Sequence, residues 1–378
     1  MNMSHELLSD LIEKRRYLHE NPELAFEEFN TTENIKKWLE EHHIPMLPLE
    51  LETGVVAEVK GAFEGPTIAI RSDIDALPIK EDTDVPFKSK YEGKMHACGH
   101  DFHTASILGA AILLNSQKEK LHGTVRFIFQ AAEEVAQGAK KFVEKGALEG
   151  VSAIFGMHNK PDLPVGTIGV KSGGLMASVD KFEIKFVGVG GHAGIPHNAI
   201  DPIVMASQYV TAVQSIVARR MDLFDNAVIS ITSIHGGNTW NVIPDTVTLE
   251  GTVRTFQPKA REAIPGLMKK LAESLAEGNG GSVEFNWEDY LPVVNNDPQF
   301  EEIIRATSVE SGFDVVDAVP SAGGEDFAFY QTYIPGFFVW MGVDGPQEWH
   351  HPKYDLKEDA IKVASEFFAN LAVNILKK

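Results

Sequence analysis

The spacing of apolar residues predicts helices at the start of the chain and a sheet after them. Apolar residues recur at helical spacing over residues 7–19 and 30–41, and an apolar run at 104–114 has the length of a buried helix. Short apolar runs of the length of buried strands occur at 55–59, 67–71, 124–130 and 153–157. Because buried strands that alternate with helices are typical of parallel sheets, this pattern predicts an α/β domain with a largely parallel sheet.

A different order of elements begins near residue 178. The pattern there predicts strand, helix, strand, strand, helix and strand, in turn at 179–187, 202–219, 227–235, 246–255, 259–277 and 282–289. This is the β-α-β-β-α-β order of ferredoxin-like α+β domains. We therefore predict one domain formed by residues 1–177 and 291–378, into which residues 178–290 are inserted as a second domain.

Polar side chains follow apolar strands of the first domain at the points where those strands end. Asp73 and Asp75 follow one strand, Glu133 and Glu134 another, and His158 a third. In open α/β sheets, ligands bind at the carboxyl ends of the strands. We therefore expect the chemistry of the chain at one edge of this sheet.

Composition narrows the class of protein. A chain of 378 residues exceeds the usual size of a single core, which agrees with two domains. A formal net charge of −20 argues against a nucleic-acid or anionic-membrane partner, because either would require clustered Lys and Arg. The first residues lack a secretory signal, and no apolar run is long enough to span a membrane. We expect a cytoplasmic protein that acts on a small molecule.

The single cysteine of the chain lies in a segment rich in metal-binding side chains. Cys98 and His100 stand two residues apart, and His96, Asp101 and His103 lie beside them. Thiolate, imidazole and carboxylate groups bind zinc and its first-row neighbours. Residues two apart in an extended segment face the same side, so Cys98 and His100 could share a metal. The alternative is a small buried cysteine next to a hydrogen-bonded histidine loop.

Other residues could complete such a site. Adjacent side chains in extended backbone face opposite ways, so one of Glu133 and Glu134 could bind metal while the other faces a bound water. His158 ends an apolar strand, and the pair His350-His351 lies in a segment that could return to the site from far along the chain. The alternatives are an exposed acidic pair and a hydrogen-bonded core histidine.

The inserted domain carries polar residues of a different kind. His192 follows a glycine-rich turn, where it could donate a hydrogen bond to an oxyanion or simply be solvated. Asn241 offers an amide, and Arg254 offers a bidentate group for a carboxylate. Both could equally make polar contacts within their own domain.

Taken together, these stretches resemble the dinuclear-metal amidohydrolase and exopeptidase superfamily, which contains aminoacylase, hippurate hydrolase and the succinyl-diaminopimelate desuccinylases. The likeness is closest to its cysteine-ligand branch of plant auxin-conjugate hydrolases and bacterial N-acetyl-amino-acid deacetylases. The matching motifs lie along nearly the whole chain, at residues 16–24, 73–78, 96–103, 132–134, 156–158, 190–193, 241–244, 324–327 and 350–352. Asp73 stands where the exopeptidase branch has a metal-binding histidine, so ligands cannot be copied from that branch.

The resemblance implies a role for several residues. The ligands of two divalent cations would be Cys98, His100, Glu134, His158 and His351. The cations could be zinc, manganese, cobalt or nickel, and the cysteine would bridge them. Glu133 would be the general base. The inserted domain would be both a lid and the dimerisation surface of a homodimer or higher homo-oligomer, and His192 would reach the active site of a partner subunit.

These expectations describe a metal-dependent amidohydrolase that removes the acyl group, an acetyl group above all, from an N-acyl amino acid. The free carboxylate of such a substrate needs a cation in an acidic protein, and Arg254 with Asn241 would bind it. Alternatives from other classes stay open: a dipeptidase or aminopeptidase on the same dinuclear site, a noncatalytic metal-binding protein, and a thiol amidase with Cys98 as nucleophile and His100 as base.

Overall fold

The computed structural model describes residues 1–377, and the chain divides into two units. The first unit comprises Met1–Leu175, Asn295–Val319 and the described residues from Glu325 onward. The second unit comprises Met176–Val294 and Pro320–Gly324. None of the helices within residues 1–377 is long and apolar enough to cross a membrane.

The strands and helices of both units are numbered in chain order. The strands are β1 (Val55–Lys60), β2 (Phe63–Asp73), β3 (His122–Gln130), β4 (Val151–Lys160), β5 (Thr167–Val170), β6 (Gly173–Met176), β7 (Val179–Val187), β8 (Gly191–His192), β9 (Ala227–Gly236), β10 (Val242–Ile243), β11 (Thr246–Thr255), β12 (Ser282–Leu291), β13 (Val294–Asn296), β14 (Asp314–Asp317) and β15 (Gly336–Gly342). The α-helices are α1 (His5–Glu20), α2 (Phe29–Glu41), α3 (His100–Asn115), α4 (Gly138–Glu144), α5 (Pro202–Ala212), α6 (Gln214–Arg220), α7 (Pro258–Gly278), α8 (Glu301–Glu310), α9 (Phe327–Gln331) and α10 (Ala360–Leu376). Short 3₁₀ helices span Lys118–Lys120, Pro196–Asn198 and Pro298–Phe300.

The sheet of the first unit is mixed but largely parallel. In the described part of the chain its strand order is β1-β3-β2-β4-β15-β5-β14. β2 pairs in parallel with β3 and β4, β15 with β4, and β14 with β5. The antiparallel pairs are β1 with β3 and β15 with β5. The predicted α/β fold is confirmed, and the ends of β2, β3 and β4 carry the polar residues singled out in the sequence.

Helix α3 is buried along its length because it lies between other elements of the first unit. Every residue from His100 to Leu114 is buried, and α3 packs against α1, α10 and β2. A Cβ at Gly109 would come within 2.3 Å of the Ser365 Oγ and 2.7 Å of a Leu11 methyl carbon, so only glycine permits this approach. The polar first turn of α3 is thereby held rigidly.

The start of α2 is stabilised from outside the helix. Glu28 precedes it and makes no side-chain cap, whereas the carboxylate of Glu23 accepts hydrogen bonds from the backbone N–H groups of Asn30 and Thr31, at 3.0 and 2.7 Å. A carboxylate at a helix N-terminus satisfies free N–H groups and complements the helix dipole.

The second unit is an antiparallel sheet packed against helices. Its main sheet has the order β12-β7-β11-β9, as expected for the ferredoxin-like arrangement of the predicted elements. Burial alternates along β7 and β11, and the buried side chains form one core with residues of α5 and α7. The predicted helix over 202–219 is divided into α5 and α6 at Val213. Strands β8 and β10 form a separate pair in which His192 lies opposite Val242.

Candidate metal centre and active site

The turn that carries Cys98 is fixed by a glycine and an asparagine. Gly99 has a φ of +81°, and a Cβ there would lie 2.5 Å from the Tyr354 hydroxyl and 2.6 Å from the Asn159 amide nitrogen. The Nδ2 of Asn159 donates to the Cys98 carbonyl oxygen at 2.6 Å, and the Tyr354 hydroxyl donates to Asn159 Oδ1 at 2.7 Å. These contacts set the thiol at the start of α3 and near the end of β4.

Two imidazole rings at this position leave the same nitrogen free for a metal. His100 Nδ1 lies 2.9 Å from the carbonyl oxygen of Asp75, and His158 Nδ1 lies 2.9 Å from the carbonyl oxygen of Asn159. Because a carbonyl oxygen only accepts, each Nδ1 carries a proton, and Nε2 is the nitrogen that each ring can offer to a metal. The Nε2 of His158 lies 3.3 Å from the Sγ of Cys98.

Glu134 brings a carboxylate to the same group of side chains. Its Oε1 lies 3.8 Å from His100 Nε2, and its Oε2 lies 3.6 Å from His350 Nε2. Its backbone N–H donates to Asp75 Oδ2 at 3.0 Å, which fixes the turn after β3. The potential ligand atoms lie within 4.8 Å of one another in three overlapping groups: Cys98, His100 and His158; Cys98, Glu134 and His350; and His100, Glu133 and Glu134.

His350, and not the adjacent His351, reaches this cluster. The residue has a φ of +63°, and its backbone N–H donates to the Ala97 carbonyl oxygen at 2.8 Å. This contact turns the His350 ring toward Glu134. Both rings are exposed, but the Nδ1 of His351 accepts a hydrogen bond from the Lys353 backbone N–H at 3.0 Å, outside the cluster. We therefore replace His351 by His350 as the candidate ligand.

The electrostatics of these residues fit bound cations. Burial raises the pKa of the Cys98 thiol well above its usual range, and the Glu134 and Glu133 carboxylates raise it further. Burial also raises the pKa of Glu134 to about 8. Among the described residues, His100 Nε2 and Glu134 Oε1 are buried with no hydrogen-bond partner. Divalent cations would stabilise the anionic forms of these groups and occupy their free lone pairs.

Glu133 adjoins both Glu134 and a second group of buried carboxylates, Glu325 and Asp326. Its Oε1 accepts a hydrogen bond from the backbone N–H of Asp326 at 3.2 Å, and oxygens of Glu133, Glu325 and Asp326 lie within 4.8 Å of one another. Burial raises the pKa of Glu133 well above its usual range, and the carboxylates of Glu325 and Glu134 add to the rise. A carboxylate with a raised pKa beside a metal cluster is suited to accept a proton.

Several buried residues around the cluster had no role in the sequence-based prediction. Asp73 accepts from the Nδ1 of His103 at 2.6 Å and from Arg71 at 2.7 Å, so it is paired within the fold. Glu325 and Asp326 belong to a motif of the resemblance, but neither had a role there. Their positions beside Glu133 depend on contacts between residues far apart in the chain, which spacing does not reveal.

The polar residues of the second unit lie at the end of β8 (His192), just before β10 (Asn241) and on β11 (Arg254). His192 is exposed, and its Nδ1 accepts a hydrogen bond from the Gly194 backbone at 3.0 Å, so its proton is on Nε2. Asn241 lies next to it, since its carbonyl oxygen accepts from the Ala193 backbone at 3.1 Å. Arg254 is half-buried and donates to the Thr252 hydroxyl and the Val253 carbonyl, with no carboxylate in ion-pair contact within residues 1–377.

Comparisons with known proteins match a family model, named relatives and a solved structure. The family model described as peptidase family M20/M25/M40 matches residues 69–374. The chain is 59% identical to an N-acetylcysteine deacetylase of Bacillus subtilis (strain 168), over 97% of each chain. It is 46% identical to an N-acetyl-L-cysteine deacetylase of the same organism, over 98% of this chain and 89% of that one. The crystal structure of the Bacillus subtilis YXEP protein, a dinuclear metal binding peptidase from the M20 family, matches with a TM-score of 0.91 and 55% identity over 99% of both chains.

Proposed function

The chain belongs to peptidase family M20/M25/M40 and is a hydrolase, and we propose that it removes the acetyl group from N-acetyl amino acids, N-acetylcysteine among them. The observation that carries the proposal is the position of Glu133, a buried carboxylate next to a thiolate, imidazole and carboxylate donor set. The names of the two deacetylase relatives support the choice of substrate.

We assign five side chains to two divalent cations: Cys98, His100, Glu134, His158 and His350. Cys98 belongs both to the group with His100 and His158 and to the group with Glu134 and His350, which supports its role as the shared ligand. Zinc, manganese, cobalt and nickel remain the candidates, and metal analysis of the purified protein distinguishes them.

The residues of the chain then divide the work of amide hydrolysis. When bound, the cations supply Lewis acidity, which lowers the pKa of a water and polarises the substrate carbonyl. Glu133 accepts a proton from the attacking water as the new C–O bond forms, and returns it to the nitrogen as the C–N bond breaks. The products are acetate and a free amino acid.

We assign the recognition of substrate to residues of the second unit. The Nε2–H of His192 donates to the oxyanion that develops on the acyl group. The guanidinium of Arg254, with the amide of Asn241, binds the free carboxylate of the substrate. Arg254 makes no ion pair within the described part of the chain, and the nearby Asp180 is paired with Arg261 instead, which supports this use of Arg254.

We propose a homodimer in which His192 serves the partner's active site. The second unit exposes large apolar side chains: Leu223, Phe224, Val228, Ile234 and Trp240. β9 is an edge strand of its sheet, and free edges and apolar patches are typical of surfaces that another chain covers. We propose a cytoplasmic location, where a thiolate ligand stays reduced.

Release of free amine tests the function. Metal-loaded protein is given N-acetyl-L-cysteine, other N-acetyl amino acids, their carboxamides, and dipeptides with a free amine. We expect N-acetyl amino acids to exceed dipeptides and carboxamides in kcat/KM by tenfold or more, about 1.4 kcal/mol. Preference for dipeptides would favour a dipeptidase. Full activity after chelation, with inactivation by a thiol reagent, would favour the thiol amidase.

A further inference from the structure

The guanidinium of Arg71 is fully buried near Glu133, the proposed general base. Arg71 is 1% exposed and stands in β2, and a buried guanidinium is stable only when its donors are paired. Its Nε donates to Gln130 Oε1 at 2.9 Å and its Nη1 to Asp73 Oδ2 at 2.7 Å. Its Nη2 donates to Asp326 Oδ1 at 2.7 Å and also lies 2.9 Å from Glu325 Oε1. Arg71 therefore ties the ends of β2 and β3 to the segment that precedes α9.

The carboxylate of Asp326 is held at both oxygens. Besides the bond from Arg71, it accepts from Gln130 Nε2 at 2.9 and 2.8 Å and from the Ala139 backbone at 2.9 Å. These donors come from β2, β3 and α4. These hydrogen bonds restrict rotation of the carboxylate and movement of the short main-chain segment to which it is attached.

The main chain of this same residue contacts the general base. The backbone N–H of Asp326 donates to Glu133 Oε1 at 3.2 Å. A fixed carboxylate and an amide two bonds from its Cβ move together, so the Arg71–Asp326 ion pair sets the direction of the N–H. That N–H in turn holds one oxygen of Glu133, which restricts the rotamers open to its side chain.

We propose that Arg71 and Asp326 are positioning residues for Glu133, acting through the backbone amide of Asp326. The inference rests on the proposed function, because it takes Glu133 as the base. The base must accept a proton from the attacking water and then donate it to the amine nitrogen. A misplacement of about 1 Å can reduce the rate of such a step about 100-fold. Neither residue is among the five assigned ligands, so their loss should leave metal binding intact.

The test is a double-mutant cycle on kcat. Arg71→Lys keeps the charge but loses the planar fork, and we expect kcat to fall about 10- to 100-fold with KM and metal content nearly unchanged. Glu133→Asp withdraws the carboxylate by one methylene from the Asp326 N–H. In that background Arg71→Lys has no contact left to act through, so it should lower kcat by less than about threefold.

Two further variants keep the test decisive. Asp326→Asn puts an NH₂ group against the Arg71 donor or against the Gln130 and Ala139 donors, whichever way the amide turns, and it should repeat the Arg71→Lys result. Arg126→Lys is the matched control. Arg126 is a buried arginine of β3 that donates to Glu58 and to the carbonyls of Ala147 and Glu149, and its variant should keep the wild-type kcat. All rates are normalised to the folded fraction measured by thermal unfolding.

The outcomes separate the inference from the function on which it rests. Equal losses of kcat for Arg71→Lys in the wild-type and Glu133→Asp backgrounds would mean a purely structural role and overturn the inference. Unchanged kcat in both Arg71→Lys and Asp326→Asn would also overturn it, while the function would stand if Glu133→Asp were impaired. Wild-type kcat in Glu133→Asp would instead remove Glu133 as the base.

Discussion

The Sγ of Cys98 lies 3.3 Å from the Nε2 of His158, although 60 positions separate the two residues in the chain. The turn before α3 and the end of β4 bring them together, and both are buried. A soft sulfur and an imidazole lone pair at this separation are suited to bind one metal ion.

The first prediction concerns the thiolate. Cys98→Ser changes one atom and leaves the shape of the site, but a hydroxyl is a much weaker ligand for zinc-like metals. We expect metal affinity to fall about 100-fold or more, with loss of at least one equivalent of metal on dialysis. Metal analysis and competition with a chelator measure this. An unchanged stoichiometry and affinity would show that Cys98 is not a ligand.

The adjacent histidines provide a matched pair of variants. We predict that His350→Ala lowers both metal content and kcat, because its Nε2 faces Glu134, whereas His351→Ala stays close to wild type in both. The two substitutions remove the same ring from neighbouring positions of one exposed segment. A loss of metal in His351→Ala alone would restore the sequence-based assignment.

Arg254 is predicted to act in binding rather than in the chemical step. Arg254→Ala should raise KM for N-acetyl amino acids by about tenfold or more, since charge-assisted bonds contribute about 1.5–3 kcal/mol, and should lower kcat much less. Arg254→Lys keeps the charge without the bidentate geometry, so its KM should lie between those of the wild type and Arg254→Ala. Steady-state kinetics on N-acetyl-L-cysteine measure both constants. An unchanged KM in Arg254→Ala would refute the assignment.

Glu28 is predicted to make stability depend on pH in the metal-free protein. Burial, with the nearby Asp75 carboxylate, raises the pKa of Glu28 to about 7, against 4.5 in the unfolded chain. As pH rises, Glu28 loses its proton at a higher pH in the folded state than in the unfolded chain. The resulting loss of folding free energy is absent below pH 4.5, grows as pH rises toward 7, and is constant above pH 7. It amounts to about 3 kcal/mol at most.

Glu28→Gln removes that penalty. We expect its Tm to match wild type near pH 4.5 and to exceed it by a few degrees at pH 8. Glu33→Gln, at an exposed position of α2, is the control, and its Tm difference from wild type should not grow with pH. Thermal unfolding of chelator-treated protein measures the difference. A Tm difference between Glu28→Gln and wild type that is the same at both pH values would contradict the raised pKa of Glu28.

Much of the fold could be predicted from the sequence because a buried strand is visible as a short run of apolar residues. The runs that form β1 to β4 are mostly apolar and mostly buried. The polar residues at their ends indicate the edge where Cys98, Glu134 and His158 meet. The cap of α2 could not be predicted, because a carboxylate seven residues before Asn30 provides it.

The details of the site that could not be predicted depend on tertiary contacts. His350 and His351 are the same residue type in the same segment, and only the left-handed backbone at His350 and its bond to Ala97 distinguish them. The pairing of Arg71 with Asp326 joins residues 255 positions apart, which no local pattern contains. A motif showed that residues 324–327 matter, but not that a main-chain N–H there contacts Glu133.

The most direct test of the account is the Glu133→Gln variant, assayed on N-acetyl-L-cysteine with its metal content measured in the same sample. The side chain keeps its shape but cannot accept the proton of the attacking water. We predict that about two metals per chain are retained while kcat falls about 100- to 10,000-fold. A metal-loaded Glu133→Gln protein that turns over at the wild-type rate would contradict the central claim that Glu133 is the general base of a dinuclear amidohydrolase.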